Sequence, residues 1–206
     1  MKLLAVCIGE ARPAPGRKSS KTGIFKQPVD HPVMVGREGL AGDRIVNRTH
    51  HGGPDQAVYI EGAVDLAWWA EELGRPIPPG TFGENLTVEG LDNRSIAVGD
   101  RLEIGDVVLE ISAARIPCAT LALRMDDPQF VKRYTKAARP GAYARVLREG
   151  VLRAGDSVGH AGFDGERVTM PELIRSFGRK LQGAELARYL AAPIHHKLRA
   201  FLESGA

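Results

Sequence analysis

Short alternations of apolar and polar residues, separated by glycine, run through the first three quarters of the chain. In DRLEIGDVVLEIS, Leu102 and Ile104 alternate with polar neighbours before a Gly-Asp turn, and the alternation then resumes. Period-two alternation on both sides of a short turn predicts a β-hairpin over residues 100–112. LLAVCIG near the N-terminus predicts a first strand, and residues 142–151 predict two strand segments around a turn at Glu149.

Apolar residues at helical spacing interrupt these strands. GAVDLAWWAEELG predicts a helix that stops at Gly74, and Asp127 with Pro128 is suited to open another that runs through Tyr134. After Gly165 the pattern becomes helical throughout.

In this C-terminal part, Thr169 and Glu172 stand at the spacing of a capping box. Further helices are predicted near residues 183–190 and 193–202, and His195 and His196 are expected to be solvated on a helix surface. The pattern therefore predicts a mainly β fold with α-helices, divided into a β-rich domain and a small helical appendage. The predicted bounds are residues 1–163 and 164–206.

Composition narrows the class of protein. The 206 residues are 43% hydrophobic, which is enough for a buried core, and the formal net charge is +3. That charge is too small to indicate nucleic-acid binding by itself. No apolar run approaches the length needed to cross a bilayer. We expect a cytoplasmic protein with no nucleic-acid or membrane partner.

The two cysteines have different settings. Cys7 lies within an apolar run and is expected to be a buried, inert thiol. Cys118 follows RIP in a predicted loop, three residues after Arg115. A nearby cation favours the thiolate, which is both a nucleophile and a soft metal ligand. A lone loop cysteine without a chemical role is the alternative.

The loop GRKSSKTGIFKQPV combines cations, small hydroxyls and glycine amides, which suit a phosphate. Its candidate anion-binding residues are Lys18, Lys21, Thr22 and Lys26. The segment lacks the GxxxxGK[ST] pattern, so it is not a P-loop. The alternative is a solvated loop.

Two further loops hold candidate site residues. In HHGGPDQAVY, Gly52 and Gly53 permit a close backbone approach, and His51 is suited to donate to an anion or relay a proton. A metal site is disfavoured because the chain has no HxxxH or CxxC pattern. In GENL, Glu84 and Asn85 either cap a loop or hydrogen-bond a heterocycle. Each loop alone also fits an ordinary turn.

The joint order of these segments resembles the MOSC family, named for the C-terminal domain of molybdenum cofactor sulfurases, and in particular its bacterial YiiM-like branch. The resemblance extends from Thr22 to Asp156, with a further likeness between the tail and the three-helix domain of that branch. The matching segments are TGIFKQPV, GLAGD, HHGGPDQAVY, GENL, VGDRLEIGDVVLEIS, RIPC and GAYARVLREGVLRAGD.

The resemblance implies a MOSC-like β-barrel domain that binds the molybdenum cofactor (molybdopterin). It implies that Cys118 is a molybdenum ligand or a persulfide carrier, and that Asp55 fixes the turn of the histidine-glycine loop. Lys18, Lys21 and Lys26 would neutralise the phosphate, while Glu84 and Asn85 would contact the pterin. It also implies reduction of N-hydroxylated compounds, such as hydroxylaminopurine, with electrons from a separate redox protein.

Two alternatives stay open: a sulfur carrier that holds a persulfide on Cys118, and a pterin- or nucleotide-binding module without turnover. The chain departs from the family pattern at Gln56, where many relatives carry a cation, and at Ala142, where a tryptophan is common. The sequence indicates no oligomeric state.

Overall fold

The computed structural model of the chain describes residues 1–14, 17–48 and 51–205, with the backbone alone at residues 17–19. Within these residues there are thirteen strands and six α-helices. The strands are β1 (Lys2–Gly9), β2 (Arg12–Ala14), β3 (Arg17–Thr22), β4 (Lys26–Val29), β5 (Val33–Gly36), β6 (Gly39–Leu40), β7 (Val58–Gly62), β8 (Leu86–Glu89), β9 (Arg101–Ile104), β10 (Val107–Ala114), β11 (Ala142–Arg148), β12 (Gly150–Leu152) and β13 (Gly159–Ala161). The helices are α1 (Ala63–Leu73), α2 (Ala119–Met125), α3 (Phe130–Ala137), α4 (Met170–Ser176), α5 (Gly183–Ala191) and α6 (His196–Glu203).

Eight strands form one mixed sheet in the order β13-β9-β10-β11-β7-β8-β1-β4. All neighbours in it are antiparallel except β7 and β8, which run parallel. A second sheet has the order β12-β5-β6, and β2 pairs with β3. This arrangement confirms the predicted mainly β fold with helices. None of the described helices has the length and apolar character that a membrane span requires.

The predicted hairpin is confirmed, because β9 and β10 pair with Val107 opposite Ile104. The two strand segments predicted over residues 142–151 also form, but they do not pair with each other. Strand β11 lies between β10 and β7, whereas β12 pairs with β5. Helix α2, directly after Cys118, was not predicted.

Alternating residues of β7 and β11 serve two different apolar clusters. Val58 and Ile60 face the larger core, while Tyr59 between them faces a second cluster beneath α1, α2 and α3. Tyr143 of β11 faces the same way as Tyr59. Trp69 of α1 stacks on a tyrosine of α3 in this second cluster, with ring centroids 5.6 Å apart. The alternation therefore points two tyrosines to the side of the sheet that these three helices cover.

The C-terminal helices share the larger core with the strands. Thr169 and Glu172 form the predicted capping box at the start of α4. Val168 and Tyr189 are buried in the same cluster as Ile111 of β10. The helices thus pack on the strand core instead of forming one of their own, and a division into two domains near residue 163 remains a prediction.

The expectation that His195 is solvated is wrong. Its side chain is buried, and its backbone N–H donates to the carbonyl oxygen of Ser112 at 2.9 Å. Burial and the neighbouring His196 lower the pKa of His195 to about 4. The helical pattern marked the segment correctly, but it could not show that the residue before α6 packs against β10.

Asp100 joins the strands to the chain that leads into α4. Its carboxylate is fully buried and accepts hydrogen bonds from the backbone N–H groups of Phe163 and Ala97 and from Arg167, all within 2.9 Å. Burial raises the pKa of this carboxyl, but these donors outweigh burial and leave the pKa below its usual value.

We predict that Asp100→Ala lowers the free energy of unfolding by about 2–4 kcal/mol at pH 7, because buried donors lose their acceptor. A carboxylate whose folded-state pKa is lowered stabilises the fold above its unfolded pKa of about 4. The difference in the free energy of unfolding between Asp100→Ala and wild type should therefore become smaller as the pH falls below about 4. Urea unfolding across pH measures it. Glu203→Ala, which removes an exposed pair with Arg199, should cost well under about 1 kcal/mol; an equal loss in both variants would contradict the assignment.

Candidate functional site

A cavity of about 240 Å³ opens beside the second apolar cluster, between the N-terminal strands and the segment that leads into α2. Its volume lies somewhat below the range of small-molecule sites, which begins at about 300 Å³. Eight of the candidate residues predicted from the sequence line it: Lys21, Thr22, Lys26, His51, Gly52, Asn85, Arg115 and Cys118. Residues that are distant in sequence are therefore brought to one wall.

Cys118 is a half-buried thiol on the cavity wall, at the residue that precedes the first turn of α2. Burial alone would raise the pKa of this thiol. A hydrogen bond from His51 and the charge of Arg115 outweigh burial and lower the pKa to about 6. At neutral pH the side chain is therefore a thiolate that faces the cavity.

Cys7 is the opposite case. Its side chain is fully buried in β1, and burial raises the pKa of the thiol to about 12, with a further contribution from nearby Glu84. Both cysteines are free thiols. The chemical difference that the sequence predicted between them is therefore present in the structure.

Arg115 supplies the positive charge next to Cys118. The residue is 3% exposed, and its guanidinium lies 3.7 Å from the Cys118 sulfur and over the ring of Tyr59. It also donates to the carbonyl oxygen of Ile116. Among the described residues, no carboxylate forms a salt bridge with it. A buried cation without a carboxylate partner favours an anion in the cavity, and the Cys118 thiolate is the nearest one.

The structure revises the role predicted for Lys26. Its ammonium group is buried and pairs with both carboxylate oxygens of Asp43. One of these oxygens, Oδ1, also accepts from the backbone N–H of Gly9 at 2.8 Å. Asn85 donates to Asp43 at 3.0 Å and accepts from the backbone N–H of Tyr59 at 3.1 Å. Lys26 and Asn85 thus hold the wall together with Asp43, and their polar atoms are engaged within the protein.

Two other candidates, Gly53 and Glu84, lie outside the cavity lining. Both oxygens of the fully buried Glu84 accept backbone N–H groups, from Gly80 and from Phe82. Gly53 precedes the short 3₁₀ turn Pro54–Gln56 and does not reach the lining. Of the two roles predicted for Glu84, these contacts therefore support the loop cap. The side chain of Lys18 is outside the part of the chain that is described.

Asp55 lies outside the lining as well, and it ties the histidine-glycine loop to the C-terminal helices. Its carboxylate accepts from Arg145 at 2.9 Å and from both the backbone and the ring of His196, at 2.8 and 2.9 Å. The three residues Asp55, His195 and His196 have the spacing of a metal site, but Arg145 and His196 already occupy the oxygens of Asp55. These contacts connect the loop to distant elements, and the role of Asp55 in fixing its turn stays a prediction.

Glycine is required where two segments meet at the cavity. A Cβ at Gly23 would collide with the carbonyl oxygen of Arg44. Gly52 has a φ of 79° and would place a Cβ 3.0 Å from the Ile45 side chain. The loop after β6 therefore packs against both glycines, which the motif GLAGD did not reveal.

Sequence reasoning missed several lining residues, namely Arg44, Tyr59 and Tyr143. Gln56, noted before only as a departure from the family pattern, also lines the cavity, and its side-chain oxygen is buried without a donor among the described residues. Tyrosine at the centre of an apolar alternation was the available signal, since its hydroxyl needs a partner even when the ring is buried.

Comparison with known proteins agrees with this arrangement. The MOSC domain model matches residues 47–159, which is more than half of the chain. The chain belongs to the MOSC family. The matched span contains His51, Tyr59, Arg115, Cys118 and Tyr143 of the cavity wall.

Curated relatives extend the likeness. The chain is 38% identical over 138 residues to the uncharacterized protein YflK of Bacillus subtilis, covering 67% of this chain and 62% of YflK. A protein named Reductase from Gibberella moniliformis is 33% identical over 142 residues, covering 66% of this chain and 25% of that protein. The chain thus spans about three fifths of the first relative and a quarter of the second.

Solved structures share the fold over nearly the whole chain. YiiM from Geobacillus stearothermophilus superposes with a TM-score of 0.81 at 25% identity, covering 99% of this chain and 98% of that one. YiiM from Escherichia coli superposes with a TM-score of 0.74 at 20% identity, covering 99% and 92%. The predicted resemblance to the YiiM-like branch is confirmed.

We predict that iodoacetamide labels Cys118 of this MOSC protein with a rate that rises around pH 6, as the thiolate forms. Cys7 should stay unlabelled below pH 9. His51→Ala should move the midpoint of the rate profile to higher pH, because it removes a hydrogen bond to the thiolate. Mass spectrometry after timed labelling measures both sites. An unchanged midpoint in His51→Ala, or labelling of Cys7 at the rate of Cys118, would refute this description.

Proposed function

We propose that this protein binds the molybdenum cofactor in the cavity, with the Cys118 thiolate as a ligand to molybdenum, and reduces N-hydroxylated compounds. The observation that carries the proposal is the environment of Cys118. A half-buried thiol with a pKa of about 6 faces a cavity that is also lined by Arg115, whose guanidinium pairs with no carboxylate of the described residues. Soft thiolate ligands suit metals of this class.

The residues present fit such a cofactor. Lys21, Arg44 and Arg115 line the cavity, and none of them forms a salt bridge in the described part of the chain. The charges of Lys26 and Asp43 cancel each other, so the other three cations give the lining a net positive charge. Positive charge next to backbone N–H groups is what a terminal phosphate requires.

When bound, the cofactor would supply the redox chemistry. The protein would hold the metal through Cys118, keep that sulfur ionised through His51 and Arg115, and surround the substrate with Tyr59 and Tyr143. The chain carries no CxxC pair, and Cys7 is a buried thiol with a pKa of about 12. Reducing equivalents would therefore come from a separate redox protein. The relative named Reductase supports this reaction class but matches over only a quarter of its length.

The same thiolate also supports a second function, a carrier of sulfane sulfur on Cys118. A thiolate with a pKa near ambient pH combines a high ionised fraction with good nucleophilicity towards sulfur. His51 and Arg115 would stabilise a persulfide as they stabilise the thiolate. The two functions differ in what Cys118 holds.

We predict that protein made in a cofactor-competent host contains molybdenum near one equivalent and reduces 6-hydroxylaminopurine when given an electron donor. Cys118→Ser should lose turnover and most of the molybdenum, while Cys7→Ser keeps both. Metal analysis, cyanide-releasable sulfur and a turnover assay on the three proteins distinguish the functions. Labile sulfur on Cys118 without molybdenum would favour the carrier, and full activity in Cys118→Ser would exclude both.

A second expected outcome concerns the cofactor phosphate. Lys21→Ala should reduce molybdenum retained after gel filtration and leave the Tm of the apo-protein nearly unchanged, since exposed charges contribute little to folding. Lys26→Ala should lower the Tm, because it leaves the buried Asp43 carboxylate without its cation. Lys136→Ala, on the exposed face of α3, is the control for general loss of charge. If Lys21→Ala retains as much molybdenum as the control, Lys21 does not bind the cofactor phosphate.

A further inference from the structure

Three buried tyrosines belong to the second apolar cluster, two of them on the cavity wall, and their hydroxyls have different environments. Tyr59 donates to the carboxyl group of Glu61. The hydroxyl of Tyr134 lies 3.4 Å from the same carboxyl group and accepts from the backbone N–H of Gly141 at 3.3 Å. Within the described residues, the hydroxyl of Tyr143 makes no hydrogen bond at all.

The position of Tyr143 shows where its partner would be. It stands opposite Tyr59 in the β11–β7 pairing, and the two ring centroids are 5.2 Å apart. The residue is 8% exposed and lines the cavity together with Arg115 and Cys118. Tyrosine hydroxyls that are buried usually find a hydrogen-bond partner. The open side of Tyr143 is the cavity, so its hydroxyl is available to a molecule bound there.

The electrostatic environment keeps this hydroxyl a donor. Burial raises the pKa of Tyr143, the charge of Arg115 opposes that shift, and the Cys118 thiolate adds to it, so the pKa stays above its usual value of 10. A neutral phenol donates a hydrogen bond to an uncharged oxygen without leaving a buried charge behind. The oxygen of an N-hydroxyl group is an acceptor of this kind.

We propose that the Tyr143 hydroxyl donates a hydrogen bond to the N-hydroxyl oxygen of the substrate beside Cys118, and that this contact selects N-hydroxylated compounds over the corresponding amines. The inference rests on the proposed function, since it names the residue that recognises the group to be reduced. It assigns Tyr143 to substrate binding, a role that Tyr134 cannot share because its hydroxyl is committed to Glu61 and Gly141 and does not line the cavity.

Binding without turnover tests this assignment. Molybdenum-loaded protein, with no electron donor, is titrated with 6-hydroxylaminopurine and with adenine, which lacks only the N-hydroxyl oxygen. The ratio of the two Kd values isolates the contribution of that oxygen. In Tyr143→Phe the preference for the hydroxylated purine should fall by about three- to tenfold, the range expected for one hydrogen bond. Binding of adenine should change less than twofold.

Tyr134→Phe is the matched control, because it removes the same atom from a tyrosine outside the cavity lining. It should lower the Tm and leave the ratio of Kd values at its wild-type value. If the ratio of Kd values in Tyr143→Phe equals that of wild type, the assignment of Tyr143 is overturned. The proposed function would still be supported in that case if the wild-type protein reduces 6-hydroxylaminopurine. If wild-type protein neither binds nor reduces this purine, the assignment and the proposed function both fail.

Discussion

The contact between Arg115 and Cys118 is the interaction on which the site depends. Arg115 is 3% exposed, and a buried guanidinium with no carboxylate partner among the described residues is costly. The Cys118 sulfur at 3.7 Å offsets part of this cost when it is ionised. The cation keeps the thiol ionised, and the thiolate in turn helps to stabilise the buried cation, so neither group is explained without the other.

The fold brings this pair to the cavity through the alternation of two strands and the start of one helix. Strands β7 and β11 turn Tyr59 and Tyr143 to the side of the sheet that faces Arg115, while α2 begins directly after Cys118. His51, which also lines the cavity, belongs to a loop that Asp55 ties to His196 of α6. The C-terminal helices therefore stabilise the loop that supplies the hydrogen bond to Cys118.

Local patterns predicted much of the fold. The β9–β10 hairpin, the first strand, helix α1 ending at Gly74 and the capping box of Thr169 all follow from residues close in sequence. The contrast between Cys7 and Cys118 was also predictable, since an apolar run and a nearby arginine have opposite effects on a thiol. Alternation does not specify which strands pair, and this is why β11 and β12 could not be placed with β7 and β5.

The parts of the site that escaped prediction all depend on contacts between distant residues. The sequence predicts that Lys26 is an exposed loop cation. In the structure it is neutralised by Asp43, 17 residues later in the chain. Glu84 was a candidate to bind a ligand, but in the structure both of its oxygens accept hydrogen bonds from backbone N–H groups of its own loop. Tyr143 emerged only once β11 was placed next to β7. Polar residue types show where chemistry is possible, while the pairing of those residues decides which of them remain available to a ligand.

The most direct test of the central claim is molybdenum K-edge X-ray absorption on the loaded protein and on any molybdenum retained by Cys118→Ser. If Cys118 coordinates the metal, the wild-type spectrum contains one more sulfur neighbour at bonding distance than the variant, and the variant gains a lighter scatterer in its place. Equal sulfur coordination in the two proteins would show that Cys118 is not a ligand, and the account of the cavity built on its thiolate would be wrong.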